Sequence, residues 1–137
     1  MAKTVLLTEF EYDFQLIGIS SHAKDYRIAW GLNKAFDFEL QKENDVLFAT
    51  KKGGNAVFSM YFYKNKNEEQ DVRLVSNKSN GRHLISEKKA ADYFLILYDF
   101  NEFEVRDALV KIRKINVVLT AFEVDIFTLK SKENLLF

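Results

Sequence analysis

Six consecutive apolar residues, Tyr93 to Tyr98 (YFLILY), constrain this chain more than any other feature. A strand with one wet face alternates polar and apolar side chains, whereas a strand that is apolar throughout needs cover on both faces. The run is expected to be a central strand that anchors the core.

The flanking patterns supply its partners. From Phe10 the residues alternate, with Phe10, Tyr12, Phe14 and Leu16 on one side and Glu11, Asp13 and Gln15 on the other. That period of two predicts a half-buried strand ended by Gly18 and Ser20 to Ser21. Ser21 is the expected N-cap of a helix reaching about Phe36, with Asp25 suiting the positive end of the dipole. Ile28, Leu32 and Phe36, with Ala29 and Ala35, form its apolar stripe, flanked by Tyr26 and Trp30. Val46 to Lys51 and Ala56 to Tyr63 read as strands around a Gly53–Gly54 turn, with a further turn at Lys66 to Glu69. Arg73 to Asn77 makes the next strand, and Asn80–Gly81 another turn. Val105, Leu109, Ile112 and Ile115 define a second helix, and Val117 to Val124 a last strand.

With no proline, five scattered glycines and no repeat, residues 1–137 read as a single α+β domain. The expected architecture is a mainly antiparallel sheet with two helices packed on one face, ferredoxin-like.

Charge and cysteine usage narrow the function classes. Lys/Arg and Asp/Glu balance at 20 each, so the chain as a whole lacks the footprint of a nucleic-acid or anionic-membrane binder. Between residues 51 and 89, nine Lys/Arg stand against four Glu/Asp, a modest excess read as a solvated face. The absence of cysteine removes disulfides, thiolate nucleophiles and zinc ribbons, and fits a reducing compartment. The apolar run Val5 to Leu7 is too short for a signal core or a span, so a cytoplasmic protein is expected.

Ile85 to Tyr93, ISEKKAADY, resembles the IPExxxVDY family of small bacterial proteins at Ile85, Glu87, Asp92 and Tyr93. Ser86 stands in the proline position and Ala91 in the valine position. The segments YDFQLIGISSHAKDYRIAW, LTAFEVD and LKSKENLLF are similar to family segments as well. The resemblance implies a fold unit, with no reaction and no cofactor attached. Structural roles are expected for its residues: Asp92 satisfying loop amides, Tyr93 packed with its hydroxyl at the sheet edge, and Glu87 paired with a cation.

Chemistry-bearing groups are few. His22 lies near Ser20, Ser21 and Asp25, but residues crowded into one helix start do not make triad geometry, so a cap with a surface histidine is expected. His83 is the other imidazole. Glu9, Glu11 and Asp13 read as an exposed acidic strand face, and no metal site is expected. Gly53–Gly54 after Lys51–Lys52 lacks the Walker pattern and reads as a turn.

The functional expectation is non-catalytic. If the helices cover one sheet face, Tyr61 and Tyr63 remain on the open one, a contact surface. An interaction or regulatory module forming a homodimer through that face leads. The alternatives are single-stranded nucleic-acid binding through Tyr61, Tyr63, Lys64, Lys66 and Arg73, and a small-molecule-sensing domain built on LIGISSHAKDYR. The apolar end Leu135 to Phe137 is expected to dock on its own domain.

Overall fold

The structure, a computed structural model, describes residues 12–49, 54–65, 67 and 69–136. Glu9, Phe10, Glu11, Lys51, Lys52, Gly53, Lys66, Glu68 and Phe137 lie outside the described residues.

The Tyr93–Tyr98 run is β9, and it sits in mid-sheet as its composition demands. The strands are β1 (Gln15–Ser20), β2 (Gln41–Lys42), β3 (Val46–Ala49), β4 (Asn55–Phe58), β5 (Met60–Asn65), β6 (Gln70–Ser76), β7 (Lys78–Ser79), β8 (Arg82–His83), β9 and β10 (Thr120–Val124). The helices are α1 (Asp25–Phe36) and α2 (Glu102–Arg113). Six strands form one antiparallel sheet in the order β10-β1-β9-β6-β5-β2. Among the described residues, no helix is long and apolar enough to cross a membrane.

Pleating sends Tyr93, Leu95 and Leu97 to one side with Ile17, Ile19, Val72 and Leu74, where Ile28 and Leu32 of α1 and Val105, Leu109 and Ile112 of α2 cover them. Phe94 and Ile96 point the other way with Leu16 and Val75. That second face is also covered, by the β3–β4 hairpin (Val46, Ala56, Phe58), by Leu84, Ile85 and Ala91, and by Ile126, Leu129 and Leu135 near the C-terminal end. The expected open face is therefore closed. Both faces of β9 had to be shielded, and short segments do on one side what the helices do on the other.

Local boundaries differ from expectation for identifiable reasons. Gly18 lies inside β1 and does not end it: a Cβ there would meet Phe122 Cε2 at 2.6 Å, so glycine admits a ring packed over the strand. Ser21 does not cap α1. Its hydroxyl donates to Val117 O (2.5 Å) and accepts from the Ala23 amide (3.1 Å), and the cap position falls to Lys24. The expected strand Ala56 to Tyr63 breaks at Ser59, so that β4 joins the second layer while β5 joins the main sheet. Asn101 and Glu104 supply α2 with a full capping box, at 2.8 and 3.1 Å.

Candidate functional site

The segment that resembles a family is bound into the molecule by a set of polar ties, and Asn77 is their hub. This residue leaves β6 fully buried. Its Oδ1 accepts from the Ile85 amide (2.7 Å), while Nδ2 donates to Lys88 O (3.0 Å) and Ala91 O (2.9 Å). Its backbone amide donates to Asp92 O and its carbonyl accepts from the Leu84 amide, both at 2.9 Å. A buried amide side chain needs this degree of satisfaction. Residues 84–92, which have only one 3-10 turn (Ser86–Lys88), are thereby wrapped around one side chain.

Each motif residue has a defined partner. Ile85 is fully buried in the second core. Glu87 is exposed and accepts from the Ser131 hydroxyl (2.7 Å) and amide (2.8 Å). The Ser131 hydroxyl is the main reason its carboxyl is held down at about 2. The partner is thus a serine near the C-terminal end, in place of the expected cation. Asp92 Oδ2 accepts from the Ser21 amide (2.8 Å), and Oδ1 pairs with Lys78 Nζ (2.6 Å). Tyr93 donates its hydroxyl to Ala23 O (2.6 Å), and burial, followed by the charges of Asp25 and Asp92, pushes that hydroxyl up to about 12. Ser20 Oγ donates to Ala90 O. The motif thus fastens the end of β1, the approach to α1 and residue 131 to one loop.

Those contacts also dispose of the serine–histidine arrangement. Ser20 and Ser21 donate to backbone carbonyls, and His22 is exposed. His83 lines a cleft of about 420 Å³ with Phe58, Arg82, Leu84 and Asn134, and Glu87 and Asp92 are not part of that lining. Burial, then the Lys78 and Lys89 charges, lowers the pKa of His83. Among the described residues, no three His, Asp or Glu side chains converge to hold a metal ion.

The four residues expected to share an open face are divided between the two faces. Tyr61 and Tyr63 lie half-buried on the helix side, where Tyr63 meets Phe38 at 5.4 Å between ring centroids. Lys64 and Arg73 lie on the opposite side, with Arg73 placed 5.3 Å from the rings of both Phe62 and Tyr98. Neighbours along a pleated strand cannot share a face. Sequence reasoning missed Asn77 because its one visible signal was a polar residue between a strand and a turn pair.

No family model, no curated protein and no solved structure matches this chain.

Proposed function

We propose that the protein is a non-catalytic interaction module, a cytoplasmic homodimer whose contact surface is the outer face of the β3–β4 hairpin. One observation carries the reading: Leu47 and Val57 are direct cross-strand partners and turn outward, 61% and 41% exposed. Two aliphatic side chains held opposite each other on a two-stranded sheet suit a self-complementary two-fold contact. The polar residues of the motif support the non-catalytic part, because Glu87, Asp92 and Tyr93 are engaged in ties that hold loops. Membership of the IPExxxVDY family is part of this proposal, as is a ferredoxin-like core of β1, α1, β6, β9, α2 and β10. The order β10-β1-β9-β6 supports that core, with the segment from β2 to β5 inserted after α1.

Native mass spectrometry tests the dimer. The wild type is expected at twice the chain mass, and the double variant Leu47→Asp, Val57→Asp at the chain mass with unchanged circular dichroism. A monomeric wild type, or a variant that stays dimeric, overturns the reading.

A further inference from the structure

A second exposed apolar surface lies on the other layer, on the helices α1 and α2. Tyr26, Trp30 and Lys34 follow one another at intervals of four residues along α1 and so share one helix face. Trp30 is 63% exposed and Tyr26 58% exposed. Beside them runs a groove of about 310 Å³ lined by Trp30, Gly31, Lys34, Lys111, Lys114 and Asn116, which continues into a hollow of about 130 Å³ lined by Arg27. Gly31 lets α1 close up on the segment that follows α2, since a Cβ there would meet Ile115 Cγ2 at 2.8 Å.

Charge is one-sided in this groove. Lys111 pairs with Asp107 (3.3 Å), but among the described residues no carboxylate lies within 4 Å of Arg27, Lys34 or Lys114. Lys34 and Lys114 stand at the ends of their helices and offset the negative ends of the dipoles. That role gives no reason for a large indole to stay in water beside them. Lys34 Nζ lies 4.4 Å from the Trp30 ring centroid, a cation on one side of a flat ring whose exposure leaves room for a second stacking partner.

We propose that this face binds single-stranded nucleic acid, with a base stacked on Trp30 and flanking phosphates held by Arg27, Lys34 and Lys114. The chemistry discriminates between anionic partners: an acidic peptide would use the cations and leave the indole idle, whereas an unpaired base with its phosphate uses both. The site is on the opposite layer from the proposed dimer contact, so either reading can fail alone.

Trp30 is the single tryptophan of the chain, so its emission reports on this groove without labels. Titrating the full chain with a twelve-residue oligouridylate is expected to quench that emission. Affinity should fall with salt at a log–log slope of about −0.7 per phosphate neutralised. Lys34→Gln with Lys114→Gln should weaken binding and flatten the slope, Trp30→Ala followed by anisotropy of a labelled oligonucleotide should weaken it about tenfold, and Lys130→Gln, next to Leu129 of the second layer, should change nothing. No quenching, quenching insensitive to salt or to the lysine variants, or equal competition by polyglutamate would each overturn the proposal. Melting curves confirm that the variants remain folded.

Discussion

The two faces of the sheet are covered by opposite means. On one side, two twelve-residue helices present continuous apolar stripes, and polar ties such as Gln70 Nε2 to Glu104 and Arg113 Nε to Ala121 O, both 2.9 Å, add to packing that helix length already sets. On the other, a short hairpin, a loop and a C-terminal segment share the work, and none is long enough to define its own position. Polar ties supply what length cannot: Asn77 holds residues 84–92, Glu87 holds Ser131, and Asn134 donates to Leu84 O at 2.8 Å. A layer of irregular segments can shield a sheet as fully as helices do, provided its buried backbone groups are satisfied.

Removing the hub should break this contrast most sharply. Asn77→Ala leaves the Ile85 amide and the Ala91 carbonyl without their partner, while Lys88 O keeps the Ala91 amide, and should cost about 4 kcal/mol in urea unfolding. Hydrogen exchange should then show Leu84 and Asp92 amides losing protection before those of α1 and α2, and a uniform loss would mean that the layers do not differ. Tyr93→Phe tests the helix side, where a single bond to Ala23 O is lost, and the expected cost is about 1 kcal/mol. A cost equal to that of Asn77→Ala would erase the distinction.

The smallest effect follows from acid. Glu87 has a folded value of about 2, below its ordinary 4.5, so the stability it contributes is present above 4.5 and is lost as pH falls through 2. Because the group is exposed, solvent screening keeps the effect to about 0.5 kcal/mol. Urea midpoints between pH 6 and pH 2 should fall slightly further for the wild type than for Glu87→Gln, and identical slopes would remove the Glu87–Ser131 tie from the stability of the second layer.

What the sequence made legible is what repeats along the chain. The apolar run of β9, the stripes of both helices and the Asn80–Gly81 turn, where both residues have positive φ (49° and 79°), each appear as a pattern over neighbouring positions. The two-sided cover of β9 was also legible from its composition, and it prevails over the expectation of an open face. Parity along β5 already set Lys64 against Tyr63, but which parity faces the helices depends on packing across the sheet. The break at Ser59 and the role of Asn77 depend on contacts with residues distant in sequence, and no local pattern announces them.

The position of β1 has a consequence for how the molecule is made. Its two neighbours in the sheet are β9 and β10, both more than seventy residues later in the chain. The turn after it waits for the same partners, since Ser21 is tied to Asp92 and Val117 at separations of 71 and 96 residues. On the ribosome, β1 emerges long before anything that can pair with it, carrying fully buried Leu16, Ile17 and Ile19 that must stay in solution meanwhile. The nascent chain therefore passes through a long interval with an unpaired apolar strand, during which a holding chaperone would have its natural target.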